Sequence, residues 1–252
     1  MTTNANVSKP GLFIALEGAD GSGKTTMLQY IAARFERYGE TVVKTREIGN
    51  TLIGNKLRAM ITGSDPETKE EPMDKHARLF MVLASRIQHV KNLIFPAVKE
   101  GKIVISDRCF DSTFVYQGRK DDILPMLGVL ENLEEVRYLS NRPDYTIFFD
   151  VSPHCSMERT AHERTFDNQM NESGGLEERT QDILSYRMRM AQAQAQKPGS
   201  IIHIDADQPM DKVERMLDIF VDGLVSMRIL AAQQKAAEDA KTNPASGEVI
   251  FS

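Results

Sequence analysis

A glycine-rich stretch at residues 18–26 (GADGSGKTT) follows the apolar run at residues 12–16, and this junction constrains the fold more than any other feature. The stretch satisfies the pattern G-x-x-x-x-G-K-[ST], with Lys24 followed by Thr25. Glycines let successive backbone N–H groups turn inward, and the start of the following helix adds a partial positive charge. A buried strand, this loop and a helix therefore predict a P-loop that binds the phosphates of a nucleotide.

Short apolar runs alternate with amphipathic segments along most of the chain. Strands are predicted at residues 12–17, 41–45, 103–106, 145–151 and 200–205. Helices are predicted at residues 25–38, 52–61, 75–98, 123–140, 153–162, 176–197 and 209–234. This alternation predicts an α/β protein with a five-stranded parallel sheet between two helical layers.

The predicted organisation is one domain over residues 1–230 and a C-terminal extension over residues 231–252. Residues 162–175 are polar, charged and end in glycine, which predicts a mobile lid over the nucleotide site. The extension begins with a helix-favouring composition, loses its apolar periodicity and meets Pro244. We expect it to be partly helical and then disordered.

Composition narrows the possible partners and compartment. A net charge of −5 argues against a protein that coats nucleic acid or an anionic membrane. The two cysteines, Cys109 and Cys155, lack the spacing of a metal site and are typical of reduced thiols in the cytoplasm. The first ten residues lack the apolar core of a signal peptide, and no apolar run approaches the ~20 residues that span a bilayer. We predict a cytoplasmic protein.

Charged pairs end two of the predicted strands. Arg46 and Glu47 follow the second strand, and Asp107 and Arg108 follow the third. The carboxyl ends of parallel strands lie at one edge of a sheet, so these side chains should converge with the P-loop. Arginine binds phosphate through a planar fork of donors. Several arginines beside one nucleotide site therefore predict a second ligand that carries a phosphate.

Six motifs, in the same order, resemble those of the thymidylate kinases over most of residues 12–224. They are ALEGADGSGKTT (15–26), TREIGNT (45–51), LASRIQHV (83–90), DRCF (107–110), STFVYQG (112–118) and RPDYTIFFDV (142–151). The resemblance implies a P-loop kinase that transfers the γ-phosphate of ATP to dTMP, giving dTDP and ADP. It also implies Mg²⁺ as cofactor and a homodimer. From the charge and hydropathy above, we expect no nucleic-acid or membrane partner.

The resemblance also assigns roles to individual residues. ATP would contact the loop residues Gly18, Ala19, Asp20, Gly21, Ser22, Gly23, Lys24, Thr25 and Thr26. Mg²⁺ would be held by Thr25 and Asp107. The acceptor nucleotide would contact Arg46, Glu47, Arg58, Arg86, Arg108, Ser112, Tyr116 and Gln117. Lys24, Asp20 and Arg108 would be catalytic, with Arg108 between the acceptor and the transferred phosphate. Two plainer interpretations stay open: Arg58 as a surface residue, and Glu47 as the partner of a local arginine.

Two departures from the family pattern affect specificity and catalysis. Val82 occupies the position of the phenylalanine that stacks on thymine, and Phe80 lies about 200° away around the helix. We therefore hypothesise that the enzyme also accepts dUMP and related deoxynucleotides. The lid also lacks the family's D-R-[IFL]-E motif, since Asp167 is followed by Asn168. The family carries a catalytic arginine in either the P-loop or the lid, and this P-loop has none, so the resemblance implies a lid arginine. The candidates are Arg159, Arg164 and Arg179, of which Arg164 is favoured.

Other readings remain open at this stage. A deoxynucleoside kinase would share the Asp-Arg pair and use an acidic base such as Glu47. A non-catalytic nucleotide-binding module would use occupancy of the P-loop to regulate a partner. The helix at residues 75–98, with Leu79, Met81 and Leu83, could form a dimer interface or cover the sheet.

Overall fold

A computed structural model describes residues 9–132, 142–161 and 175–242 of the chain. Its sheet contains the strands β1 (Leu12–Glu17), β2 (Val42–Arg46), β3 (Ile103–Asp107), β4 (Tyr145–Asp150) and β5 (Ile201–Asp205). All four neighbouring pairs are parallel, in the order β2-β3-β1-β4-β5. The predicted five-stranded parallel sheet is confirmed. Because β1 is central, the P-loop leaves the middle of the sheet.

The helices cover nearly all the segments that the sequence predicted. They are α1 (Lys24–Arg37), α2 (Leu52–Ile61), α3 (Lys75–His89), α4 (Phe95–Lys99), α5 (Phe110–Thr113), α6 (Leu124–Asn132), α7 (Pro153–Thr160), α8 (Gly175–Gln196) and α9 (Met210–Thr242). A π-helical turn at Val90–Ile94 joins α3 to α4 within the predicted segment 75–98. The second π-helical turn, Phe114–Lys120, and α5 before it were not predicted. Their sequence has no clear 3.6-residue apolar period.

Two apolar cores lie on opposite faces of the sheet. Alternate residues of β1 point to different cores: Ile14 belongs to one cluster and Phe13 to the other. The first cluster packs α1, α8 and α9 against the sheet, whereas the second packs α3, α4 and α6. The predicted three-layer α/β/α architecture is therefore confirmed.

The apolar residues of α3 were predicted either to form a dimer interface or to cover the sheet. Leu79 and Leu83 are buried in the second core, with 0% and 5% of their surface exposed. These two residues cover the sheet and are not available for a dimer interface. Phe80, by contrast, is 52% exposed.

Some predictions fall on parts of the chain that the structure does not describe. The lid prediction lies outside the described residues except for Gly175, where α8 begins, and Arg164 lies outside them as well. Helix α9 runs without a break across residue 231, and residues 243–252 are not described. The division between domain and extension stays a prediction. Within the described ranges, no helix is both long and apolar enough to cross a membrane.

Candidate active site

The P-loop turns tightly between β1 and α1. Gly18, Gly21 and Gly23 have φ values of 147°, 75° and 85°. A Cβ atom on Gly18 would lie 2.5 Å from the carbonyl oxygen of Phe149, and one on Gly21 would lie 2.6 Å from that of Ser156. Any larger side chain at these two positions would push the loop away from β4 and α7.

Lys24 is buried within the loop, with only 6% of its surface exposed. Its Nζ donates hydrogen bonds to the carbonyl oxygens of Gly18 and Ala19, both at 2.8 Å, and to Ser22 Oγ at 3.2 Å. Burial, and then the nearby positive charge of Arg108, lowers the pKa of Lys24 to about 8. The lysine therefore donates to uncharged oxygens of its own loop. Phosphate oxygens in their place would offer it a full negative charge.

Two oxygens beside Lys24 suit a magnesium ion bound to nucleotide. Thr25 Oγ1 donates a hydrogen bond to Asp107 Oδ2 at 2.8 Å. Asp107 Oδ1 is buried and accepts no hydrogen bond from any described residue. In the described part of the chain, no three His, Cys, Asp or Glu residues cluster to hold a metal. Two protein oxygens fit Mg²⁺, which keeps several waters and takes further ligands from phosphates.

Arg108 lies between the P-loop and the opposite end of the cleft. Its guanidinium pairs with Asp20 and donates to the Tyr186 hydroxyl at 2.9 Å and to Ser112 Oγ at 3.3 Å. The guanidinium carbon lies 5.0 Å from the centre of the Tyr116 ring. With a further hydrogen bond to the carbonyl oxygen of Gly18 at 3.4 Å, these contacts fix one positive charge beside the donor loop.

Glu17 anchors this region, and the sequence analysis missed it. The carboxylate accepts hydrogen bonds from Cys109 N at 2.8 Å and from Ser112 Oγ at 2.6 Å, on either side of the turn that follows Arg108. Burial, reinforced by the charge of Asp111, raises the pKa of Glu17 to about 8. An acidic residue in an otherwise apolar strand was the available signal. Tyr186, in α8, was also missed.

Arg86 lines the other end of the cleft and is buried, with 3% of its surface exposed. Its Nε donates to Glu47 Oε2 at 2.7 Å. Its Nη2 also contacts that oxygen and donates a second hydrogen bond, to Thr113 Oγ1 at 3.2 Å. Its guanidinium carbon lies 4.7 Å from the centre of the Phe110 ring. Nη1 is buried without a hydrogen-bond acceptor among the described residues. Arg86 therefore presents a fixed donor to a ligand that carries an acceptor.

The other predicted acceptor residues lie around Arg86. Glu47 is the partner of Arg86, which is the plainer of its two predicted interpretations. Arg58 Nη1 donates to the carbonyl oxygen of Ile48 at 3.0 Å and so braces the turn between β2 and α2. Arg46, Tyr116 and Gln117 line the same cleft.

A single cleft of about 1080 Å³ contains both ends of the site. Its lining includes Asp20, Gly21, Ser22, Gly23, Lys24, Thr25, Thr26, Arg46, Glu47, Arg58, Arg86, Asp107, Arg108, Ser112, Tyr116 and Gln117. Gly18 and Ala19 lie beneath it and contribute carbonyl oxygens to Lys24. Beside the P-loop the lining also includes Arg159, one of the predicted lid candidates, together with Gln208 and Met210, which the sequence did not single out.

Comparison with known proteins identifies the family. The family model described as thymidylate kinase matches residues 16–217. The chain belongs to the thymidylate kinase family. A thymidylate kinase from Maridesulfovibrio salexigens is 35% identical over 206 residues, which are 80% of this chain and 91% of that protein. One from Methylococcus capsulatus is 33% identical over 220 residues, or 86% and 98% of the two chains. One from Pseudomonas entomophila is 32% identical over 216 residues, or 85% and 97%.

The base end of the cleft departs from the thymidylate kinase pattern in its aromatic residues. Val82 lines the cleft, whereas Phe80 is absent from its lining and faces away. Tyr116 is the one aromatic residue in the described lining, and its ring already packs against Arg108. No described aromatic ring replaces the family's stacking phenylalanine.

Two of the three lid-arginine candidates have described positions. Arg179, at the start of α8, is 5% exposed and places Nη1 3.9 Å from Asp20 Oδ2. Arg159, in α7, is exposed and donates to the carbonyl oxygen of Gly21 at 3.3 Å. Both therefore lie beside the P-loop.

The lowered pKa of Lys24 predicts how nucleotide binding depends on pH. Below about pH 8 the free lysine is charged, and above it the neutral lysine must take up a proton to bind phosphate. We expect the association constant for ADP to fall by up to tenfold per pH unit between pH 8 and 9.5. Calorimetric titration from pH 7.5 to 9.5 measures this slope.

Two variants test whether Lys24 causes this pH dependence of ADP binding. Lys24→Arg carries a guanidinium that stays charged over this range, so its ADP affinity should be flat with pH. Glu17→Gln removes the other group that titrates near pH 8, and the slope should persist. A flat profile in the unmodified protein, or a slope that disappears in Glu17→Gln, would contradict the assignment.

Proposed function

We propose that the protein transfers the γ-phosphate of ATP to dTMP, giving dTDP and ADP, and that it uses Mg²⁺. One observation carries the proposal: a single cleft is lined by a P-loop lysine at one end and, at the other, by a buried arginine with one guanidinium nitrogen that lacks an acceptor among the described residues. Arg108 lies between these ends, paired with Asp20. A cleft built this way suits two phosphate-bearing ligands placed end to end.

At the donor end, the P-loop N–H groups and Lys24 hold the β- and γ-phosphates of ATP. Lys24 exchanges its contacts with the loop carbonyls for phosphate oxygens. Thr25 and Asp107 would hold Mg²⁺, which neutralises phosphate charge and orients the triphosphate when bound.

At the acceptor end, Arg46 and Arg58 bind the phosphate of dTMP. Arg86 donates from Nη1 to a carbonyl oxygen of the base, and Gln117 contacts the polar edge of the same base. Tyr116 packs under the deoxyribose, where its ring leaves little room for a 2′-hydroxyl. Ser112 belongs to this end through its contact with Arg108.

Transfer forms a bond between an oxygen of the acceptor phosphate and the γ-phosphorus. It breaks the bond from that phosphorus to the oxygen bridging to the β-phosphate, which leaves on ADP. Such a reaction depends on in-line positioning and on positive charge around the transferring group. Arg108 supplies that charge from the acceptor side, and Asp20 fixes its orientation.

The geometry disfavours a deoxynucleoside kinase. That reaction needs a carboxylate free to accept a proton from a sugar hydroxyl. Glu47 instead binds Arg86 through one oxygen, and although burial opposes it, Arg86 and His89 hold the pKa of Glu47 below its usual value. The non-catalytic alternative leaves the combination of Lys24, Asp107 and Arg108 unexplained.

A coupled assay of ADP release tests the proposed function and its base specificity. We expect dTMP to be phosphorylated and thymidine to react at least ~10³-fold less efficiently, because thymidine lacks the phosphate that the arginines bind. We expect dUMP to be used within ~10³-fold of dTMP, since one methyl group contributes only ~1–3 kcal/mol in a pocket.

The Val82→Phe variant is the matched control for base specificity. Restoring an aromatic ring should lower the KM for dTMP and leave the KM for ATP unchanged. A dTMP preference above ~10³ over dUMP in the unmodified enzyme would reject the broad-specificity hypothesis. Absence of ADP release with dTMP, dUMP, dCMP and dGMP would instead favour the non-catalytic module.

We also propose that Arg164 supplies the lid cation, with Arg179 as the alternative because it lies near Asp20. Removing the arginine that contacts the transferring phosphate should lower kcat by about 10³-fold or more, with a smaller effect on the KM for ATP. Single-turnover assays of Arg164→Ala, Arg179→Ala and Arg159→Ala compare the three. A larger loss of kcat in Arg179→Ala than in Arg164→Ala would assign the role to Arg179.

A homodimer acting in the cytoplasm is the remaining part of this proposal. The packed helices α2 and α3 expose apolar side chains: Leu52 at 88%, Ile53 at 54% and Phe80 at 52%. We expect Phe80→Glu to convert a dimer into a monomer in sedimentation equilibrium. Leu230→Glu, at a 57% exposed site on α9, is the control and should stay dimeric. A monomeric unmodified protein, or dissociation by the control alone, would contradict this interface.

A further inference from the structure

A chain of polar side chains, exposed at Asn50 and buried at Thr45, His89 and Glu47, runs beside the acceptor end of the cleft. Asn50 Nδ2 donates to Thr45 Oγ1 at 2.8 Å, and that hydroxyl lies 2.6 Å from His89 Nε2. The other ring nitrogen, Nδ1, lies 3.5 Å from Glu47 Oε1. Glu47 Oε2 accepts the hydrogen bond from Arg86. The imidazole of His89 is thus between the turn at Asn50 and the guanidinium of Arg86, and it is completely buried.

The donors along this chain are satisfied by one arrangement of protons. Asn50 Nδ2 can only donate, so Thr45 Oγ1 accepts the hydrogen bond from Asn50. The hydrogen of the Thr45 hydroxyl is then available to His89 Nε2. Nε2 is then an acceptor without a proton, and the ring proton is on Nδ1, facing Glu47 Oε1. Nδ1 and Oε1 are both buried and neither makes a hydrogen bond to a described residue, so their 3.5 Å separation is a polar contact just beyond hydrogen-bond geometry. Every polar hydrogen then points in one direction, from Asn50 toward the carboxylate.

A positively charged His89 would break this arrangement. Nε2 would become a second donor to the Thr45 hydroxyl, which would leave the hydroxyl's hydrogen without an acceptor in this chain. It would also place a buried positive charge beside the guanidinium of Arg86, at the same carboxylate. One carboxylate cannot offset two buried cations, so the neutral imidazole is favoured.

The two ends of the chain belong to different parts of the acceptor site. Asn50 lies in the turn after β2 with φ 59°, and its N–H donates to Asn55 Oδ1 at 2.8 Å. Arg58 braces the same turn through Ile48. Arg86 lies at the base end, where its Nη1 is buried without an acceptor among the described residues. The chain through His89 is therefore a connection between the phosphate end and the base end.

We propose that His89, neutral and protonated on Nδ1, is a positioning residue that orients Glu47 and through it Arg86, and so sets the affinity for the acceptor base. This inference rests on the proposed function, in which Arg86 reads the base. His89 contacts no substrate. It acts by fixing the carboxylate that holds two of the three guanidinium nitrogens of Arg86.

Two conservative variants separate the roles of the ring nitrogens. The amide nitrogen of His89→Asn can replace Nδ1 and donate to Glu47, whereas the amide of His89→Gln replaces Nε2 and reaches Thr45. We expect His89→Gln to raise the KM for dTMP about tenfold and His89→Asn to keep it within about threefold. The KM for ATP should stay unchanged in both. An unchanged KM for dTMP in His89→Gln, or a parallel rise in both KM values, would overturn the proposal.

The protonation state can be measured in the unmodified protein, which needs no variant to fold. Long-range ¹H–¹⁵N correlation of histidine-labelled protein reports which ring nitrogen carries the proton. We expect His89 to show a protonated Nδ1 and an unprotonated Nε2 at neutral pH, with the spectra of the exposed His76 and His203 as references. A proton on Nε2, alone or together with Nδ1, would overturn the proposal.

The experiments distinguish a failure of the proposed function from a failure of the role of His89. If no deoxynucleotide supports ADP release, the proposed function fails, and the histidine spectrum still reports on the hydrogen-bond chain. If dTMP is phosphorylated but the His89 variants or the spectrum give the contrary result, only the role of His89 is rejected.

Discussion

A protein with a net charge of −5 must hold positive charge locally if it is to bind two phosphate-bearing ligands in one cleft. Here each central arginine is fixed by a carboxylate, Arg108 by Asp20 and Arg86 by Glu47. Arginine side chains lose much conformational freedom when they are ordered in advance. The carboxylates stabilise that order before the ligand arrives, and both arginines line the cleft. The rest of the fold positions these carboxylates.

The parallel sheet brings the pairs together because β2, β3 and β1 are neighbours and end at one edge. Glu47 follows β2, Arg108 follows β3, and Glu17 ends β1. Glu17 binds the turn after Arg108 from below. Its burial is costly for a carboxylate, as its raised pKa indicates, and the hydrogen bonds offset part of that cost. Three neighbouring strand ends therefore build one preorganised site, the arrangement that electrostatic catalysis requires.

Much of this could be predicted because its signals are local. The alternation of apolar runs and amphipathic segments predicted the five strands, and the glycines with Lys24 predicted the phosphate loop. The π-helical turn at Phe114–Lys120 could not be predicted, because its side chains are set by contacts with α6 and α8 and not by a period in the sequence. Glu17 and His89 were missed for a related reason. A single polar residue in an apolar segment shows its role only when its partners are known.

The sequence by itself determined the donor half of this protein, since a P-loop binds phosphate through the backbone of consecutive residues. Only the tertiary structure decided which carboxylate holds which arginine. Glu47 and Arg86 are 39 positions apart, Asp20 and Arg108 are 88 apart, and Glu17 and Ser112 are 95 apart. Such pairings depend on which strand ends are adjacent in the sheet. Strand order is a property of the whole packed core, and no local pattern in the chain encodes it.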